Sequence, residues 1–556
     1  VTPARGKTST RRRKMMGFAH LPTSSLFVLL LLFIPSSAFL VTPAGSFVPH
    51  GRISTPHSRR LPRAEAAALQ RRSHLRMSED TIDCLVVGGG VSGLTTGLLT
   101  AGSVLVADKS ASPGGVFETR DDIEGYLFED GPNTFQPTES TLSLVSQVGL
   151  APDVVCTDRS LARYVYSGGD LYALPSPGGP PDLSGLVNLL SPLGMARVVV
   201  GAILPVAAPV KSDETVTDFF TRTLGSDILK LVVDPFISTV YCGDPSKMSM
   251  RSVFPAIAKA GDAGNGFGGL VKGFVASRKA AKETKATPFP ESGIKVKKGS
   301  SASLKGGLKK LPEAIAGALG NKYQPSWEAT KVSHSAETSL FTTEFSTPQG
   351  PKTVTSKCVV LAVPPVAAAG LVGGLSQEAS EALEGIKAPA VHAVSLAYPK
   401  TAFDEEVACV EEGGGVKGFG VLVPRGEEIG TLGFQFINSM FPERAPRDES
   451  LLLAYYGGAQ NPEAASLTAA EVSERVHGDA LRMLLKKDAP EPRVLSVRTW
   501  PAGIPQYNVG HAAAIKASRE ALPPGLVLGG SMTGGVSIGD CILSARACAE
   551  EVKQVL

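Results

Sequence analysis

The chain has 556 residues, 43% hydrophobic and 19% charged, a length suited to about two or three domains and a composition too apolar for a disordered chain. Its formal charge of +3 conceals an asymmetry: residues 1–78 hold thirteen Lys and Arg against one acid, Glu65, so the remaining chain is acidic, at net −9, which argues against nucleic acid as a partner. Seven cysteines, odd in number and scattered without a C-x-x-C pair, form neither a disulfide framework nor a zinc site, so a reducing compartment and no metal are expected.

Residues 1–78 read as a two-stage leader. Lys14-Met15-Met16, the apolar run 26–34 (LFVLLLLFI) and Pro35-Ser36-Ser37-Ala38 carry the basic, hydrophobic and small-residue regions of a secretory signal. The apolar run is too short to span a bilayer. Residues 39–78, rich in Arg, Ser and Pro, have the composition of a transit peptide. The pair resembles the bipartite leaders of algae with complex plastids and implies a plastid destination, stroma-facing and membrane-associated. The segment is left out of the fold.

Residues 80–115 read as a complete nucleotide-binding unit. An apolar strand, Ile82–Val87, runs into Gly88-Gly89-Gly90-Val91-Ser92-Gly93, in which Gly88, Gly90 and Gly93 fill the G-x-G-x-x-G spacing. The first glycine makes the turn, the second admits a pyrophosphate, and the third lets helix pack on strand. A helix over 94–100 offers its N-terminus to the phosphates. A second strand over 103–107 delivers Asp108, with Lys109 behind it, where a carboxylate can take both ribose hydroxyls. Gly114-Gly115 and the turn Gly131-Pro132-Asn133-Thr134 follow.

Residues 141–260 read as mostly helical, interrupted by the loop 174–181; the apolar stretch 186–206 is either a buried helix pair or an interfacial patch on a membrane. Residues 261–306, rich in Gly, Lys and Ser, read as a solvated loop. Strands are expected at 329–332 and 357–363, and a strand-rich region over 391–460. A helix over 469–485, a strand at 526–528, the glycine-rich segment 529–540 and a final helix from about Cys541 close the chain. This second glycine-rich strand-to-helix turn makes the dinucleotide FAD: a plain NAD dehydrogenase does not require one, whereas in two-domain flavin enzymes the C-terminal helix N-terminus faces the flavin.

Further segments resemble the protoporphyrinogen oxidase family, in its plastid form and within the flavin-containing amine oxidase superfamily. They are DGPNTFQPTES (130–140), STVYCGDPSKMSMRSVFP (238–255), VSLAYPK (394–400), GFGVLVPR (418–425), SMFPERAP (439–446), YYGG (455–458) and WPAGIPQYNVGH (500–511). Thr239 and Cys242 depart from the family's usual Gly and Ala. The resemblance covers 80–556 and implies an α/β chain (α+β overall) with the two-domain FAD-binding fold of the amine oxidase type. It has a discontinuous Rossmann-like nucleotide domain (79–150, 291–385 and 512–556), a helical domain with a candidate membrane contact (151–290) and a sheet-based substrate domain (386–511).

The implied activity is oxidation of protoporphyrinogen IX to protoporphyrin IX with molecular oxygen as acceptor and hydrogen peroxide as product, in haem and chlorophyll synthesis. By position, Arg163 would bind a substrate propionate, Leu422 and Tyr455 would line the macrocycle slot, and Gln435 would stand in one slot wall where the family usually has an aliphatic residue. For FAD the resemblance carries over Gly88, Gly90, Val91, Ser92, Gly93, Asp108, Lys109, Gly114, Gly115, Gly131, Pro132, Asn133, Thr134, Val332 (adenine, through its backbone), Trp500, Gly529, Gly530, Val536, Ser537 and Ile538. No residue is assignable as a general acid or base; His392 and His511 read as structural. The alternatives are another flavin oxidase or desaturase of the superfamily, with a coproporphyrinogen, amine or carotenoid substrate, or a non-catalytic carrier of this fold. The oligomeric state stays open, a homodimer included.

Overall fold

The computed structural model describes residues 81–176, 184–203, 213–263, 270, 291–297 and 299–556. The leader, most of the 261–306 loop and the end of the 186–206 stretch lie outside them.

The nucleotide sheet forms around Ile82–Val87, which pairs in parallel with Val104–Ala107 on one side and with Lys352–Leu361 on the other. Leu526–Leu528 adds in parallel beyond Leu361's end of that strand, and Tyr323–Gln324 beyond Val104–Ala107. Both faces are covered, which is why these strands are apolar throughout rather than alternating. Cys84, Val86, Val106 and Val360 pack under the helices Val91–Leu99, Lys310–Leu319 and Ile538–Val555. Leu85, Val87, Val359 and Leu361 pack against Pro365–Val372, Gln377–Glu384 and His511–Ala521. An antiparallel meander, Glu328–Ser335, Leu340–Ser346 and Lys352–Leu361, forms the other wing of the same sheet.

The second sheet has seven strands in the order Arg493–Trp500, Val391–Pro399, Glu449–Gly457, Thr431–Phe436, Gly420–Leu422, Arg163–Ser167 and Asp170–Leu174. One face, with Leu396, Phe434, Phe436 and Leu452, is roofed by the helix Ala469–Met483. That helix opens on a reciprocal cap between Thr468 and Glu471. Its partner face looks toward the nucleotide domain and toward a helical cluster built on Phe219, Phe220, Ile237 and Met248.

Three expectations from sequence change. Residues 163–174 are a strand hairpin rather than part of a helical stretch: Arg163–Ser167 and Asp170–Leu174 pair around Gly168-Gly169, and the first also pairs in parallel with Gly420–Leu422. Its alternation is only five residues per strand, too short to outweigh the helical text around it. The final helix starts at Ile538, because Ser537 caps the Asp540 N–H. The first helix likewise starts at Val91, directly on the glycine turn.

The 184–203 stretch is two short helices, Ser184–Leu189 and Pro192–Ile203. They bury Leu186, Leu189, Leu190 and Val198 in the helical cluster, as a buried helix pair would, and leave Val187, Leu193 and Val200 exposed. No helix among the described residues is long and apolar enough to cross a membrane.

Candidate flavin and substrate site

The three fingerprint glycines answer to different demands. A Cβ on Gly93 would lie 1.9 Å from the Gly88 carbonyl oxygen, and one on Gly88 would lie 2.4 Å from the Ala362 oxygen. Gly88 also sits at φ +118. Both are fixed by the protein's own packing. Gly90 is different: its backbone is ordinary extended chain (φ −73, ψ 173), and a Cβ there would meet no atom within 4 Å. It also stands at the N-cap of Val91–Leu99, which has no side-chain cap and no acid in its first turn. Open space before uncapped helical N–H groups fits a pyrophosphate.

The two glycine-rich turns meet at Ala362. Its backbone limits Gly88, its methyl limits Gly93, and it lies 3.7 Å from where a Gly530 Cβ would be. Gly529 donates to the Leu361 carbonyl at 3.0 Å. The helices behind the turns run in parallel: Ser92 Oγ donates to the Cys541 carbonyl and Thr96 Oγ1 to the Ala545 carbonyl, each at 3.4 Å. Their N-termini, with Val91, Ser92, Ser537 and Ile538, therefore open at the same end. Glu139–Gln147 begins there too, its Thr141 hydroxyl 3.4 Å from the Cβ position of Gly539.

Asp108 ends the Val104–Ala107 strand as expected, and its carboxylate accepts the Gly89 N–H and, at 2.7 Å, the Ser110 N–H. It thus clamps the glycine turn itself. Gly114 donates to Gly89 O at 2.8 Å, which lays Gly114-Gly115 beside Gly90, while Lys109 is exposed. Val332 has its side chain buried among Val87 and Leu361, on the strand at the sheet's edge. Trp500 closes its strand and donates from Nε1 to the Asp130 carbonyl at 2.7 Å, tying the 500–511 segment to the turn at 130–134. Gly131 is a packing glycine, its Cβ position 1.8 Å from the Val116 oxygen; Pro132 and Thr134 flank the buried Asn133 half-exposed.

The strand register brings the four expected slot residues to one face. Arg163, Gly420, Gln435 and Leu453 form one cross-strand row, and Val165, Leu422, Gly433 and Tyr455 the next. Residues two apart on a strand share a face, so Arg163, Leu422, Gln435 and Tyr455 all lie on the face turned toward the nucleotide domain. The Arg163 guanidinium stacks on Phe419 at 4.3 Å, and burial lowers its pKa to about 10. Burial pushes the Tyr455 phenol well up, with the neighbouring Cys242 and Glu129 adding to it. Both residues are half-buried. Leu422 and, from the C-terminal turn, Val536 pack on the same helical cluster.

Asn133 joins the two halves. Its Nδ2 donates to Gln435 Oε1 at 2.8 Å, and its Oδ1 accepts from Arg444 Nη1 at 3.0 Å. Arg444, only 4% exposed, also donates to Ser303 Oγ at 2.7 Å, lies 3.5 Å from Glu129 and covers the Phe441 ring. Burial raises the Glu129 carboxyl's pKa and lowers that of Arg444, each opposed by the other's charge.

Arg444 and Tyr507 lie in motifs read from sequence but carry no role of their own there. Arg444 lies inside FPERAP, where the charged pair Glu443-Arg444 looks like surface. Tyr507 donates to the Ser531 carbonyl and accepts the Gly535 N–H at 2.9 Å, holding the C-terminal glycine segment. Thr239 donates to the Leu432 carbonyl at 2.7 Å, so this departure locks the 238–255 segment onto the substrate sheet. His392 spends one ring nitrogen on Thr499 and the other on the Ala464 carbonyl, and His511 stacks on Tyr507 at 4.3 Å. A surface depression lined by Tyr166, Glu427, Leu481 and Arg482 lies on the opposite face of the second sheet and takes no part.

Comparison with known proteins decides the family. A model of the flavin-containing amine oxidoreductases matches residues 91–553. The chain is 38% identical over 486 residues to the chloroplastic protoporphyrinogen oxidase of Oryza sativa, covering 85% of this chain and 88% of that protein. It is 37% identical to the chloroplastic protoporphyrinogen oxidase 1 of Arabidopsis thaliana, covering 86% and 89%. The chain belongs to the protoporphyrinogen oxidases of the flavin-containing amine oxidoreductase family. Its cofactor is FAD. The solved cyclohexylamine oxidase of Brevibacterium oxydans shares the fold at a TM-score of 0.57 and 17% identity, over 85% of this chain and 100% of that one.

Proposed function

We propose that the chain oxidises protoporphyrinogen IX to protoporphyrin IX in plastid tetrapyrrole synthesis, with oxygen as terminal acceptor and hydrogen peroxide as product. What carries the reading is the Asn133–Gln435 hydrogen bond, which sets the candidate flavin turn against the sheet face bearing Arg163, Leu422 and Tyr455. The glycine turns, Asp108, the Val332 backbone and the 529–538 segment hold FAD, which supplies the two-electron acceptor when bound. Arg163 pairs with a substrate carboxylate, which suits its planar fork. Leu422 and Tyr455 clasp the macrocycle and exclude water. The porphyrinogen is easily oxidised, so the protein's task is to hold a methylene bridge in a dry slot; no side chain of the site is assigned as acid or base. Val187, Leu193 and Val200 form an apolar edge for a stroma-facing membrane contact.

The test is steady-state oxidation by the purified protein, followed by porphyrin fluorescence. Protoporphyrinogen IX should give the higher kcat/KM against coproporphyrinogen III. A reversed preference would reassign the substrate, and turnover of an amine alone would overturn the reading.

A further inference from the structure

The orientation of Gln435 can be derived from its neighbours. Arg444 has only donors, so the Asn133 atom facing it must be the amide oxygen. Asn133 then presents its amide nitrogen to Gln435, and only the Gln435 oxygen can accept it. The Gln435 NH₂ is thereby turned away from Asn133. It has no hydrogen-bond partner among the described residues, and the side chain stays half-exposed on the face that carries Arg163. Between the two stands Gly420, at φ +156, where a Cβ would lie 2.1 Å from the Phe434 oxygen, so no side chain fills the gap. Two strand spacings put the Arg163 and Gln435 backbones roughly 10 Å apart across that gap.

We infer that Gln435 is a specificity-determining residue that donates a hydrogen bond to a second substrate carboxylate, the first being held by Arg163. The inference rests on the porphyrinogen reading above. All four pyrrole nitrogens of a porphyrinogen carry hydrogen and cannot accept from an amide, which leaves the propionates as the acceptors on such a substrate. The slot is thus matched to a dicarboxylate macrocycle, and the buried chain Glu129, Arg444, Asn133 keeps the donor aimed.

Two variants separate recognition from packing. Gln435→Glu keeps an oxygen for the Asn133 N–H but sets an anion toward the carboxylate; Gln435→Leu removes both. With the FAD-loaded protein and protoporphyrinogen IX, KM should rise about tenfold for Gln435→Leu and more for Gln435→Glu, with kcat within about twofold. With the dimethyl ester of the same substrate the Gln435→Glu penalty should vanish. Flavin absorbance of each variant reports its folding. Unchanged KM in both variants, or equal losses on acid and ester, overturns the assignment while leaving the porphyrinogen reading in place. A wild-type protein that does not oxidise protoporphyrinogen overturns both.

Discussion

The glycine turn at 88–93 and the sheet face at 163, 422, 435 and 455, the two halves of the proposed site, are built by opposite means. The turn is local: six consecutive residues, one strand and one helix make it, and its constraints are steric to a fraction of an ångström. The face is assembled from four strands, one at 163–167 and three consecutive ones more than 250 residues later, and no two of its members share a strand. A local half can be damaged outright by one atom. A dispersed half loses function in portions.

The sharpest break within the turn is between glycines. Gly93→Ala puts a methyl 1.9 Å from a backbone oxygen that cannot move without its strand, and should cost about 3 kcal/mol or more. The expected outcome is little folded protein, read as soluble yield and melting temperature. Gly90→Val sets its Cβ where no protein atom lies within 4 Å and should fold, yet emerge without the flavin band at about 450 nm. A Gly90→Val protein that retains FAD would refute the division between packing glycines and the ligand glycine.

On the dispersed half, Arg163→Ala should raise KM by about tenfold to a hundredfold, the scale of a lost charge-assisted hydrogen bond, and leave flavin content unchanged. Loss of flavin with it would mean that the halves are coupled through the slot more tightly than Asn133 alone implies.

The smallest effect concerns His511, which stacks on Tyr507 beneath the C-terminal glycine segment. Burial lowers its pKa from 6.5, against the opposing influence of Asp213 and the Met532 backbone. The folded protein therefore binds fewer protons than the unfolded chain just below 6.5. Its contribution is fully present above about pH 6.5 and is lost as pH falls below that value. The denaturation midpoint should drop on going from about pH 7.5 to 5.5, and drop less in His511→Asn; equal drops would place the titration elsewhere.

How much of this was legible follows the same division. Ile82–Val87 and the glycine spacing are written in adjacent residues, and the structure places that strand where the sequence did. The helix ends were less legible, because Ser537 and Asp540 look like loop residues until the cap between them is seen. The 163–174 hairpin was hidden by its length. The row Arg163, Gly420, Gln435 could not be read at all without register, since a one-residue slip would send those side chains to the other face. Resemblance supplied the proposed members of the slot, but not the Asn133 contact, which depends on Arg444 being buried rather than solvated.

The central claim is that the sheet face presents a porphyrinogen to the flavin held by the glycine turns. Anaerobic mixing of the FAD-loaded protein with protoporphyrinogen IX tests it directly. Bleaching of the flavin band at about 450 nm together with the appearance of porphyrin fluorescence is the result expected. A flavin that stays oxidised under protoporphyrinogen, and is bleached instead by an amine, would contradict it.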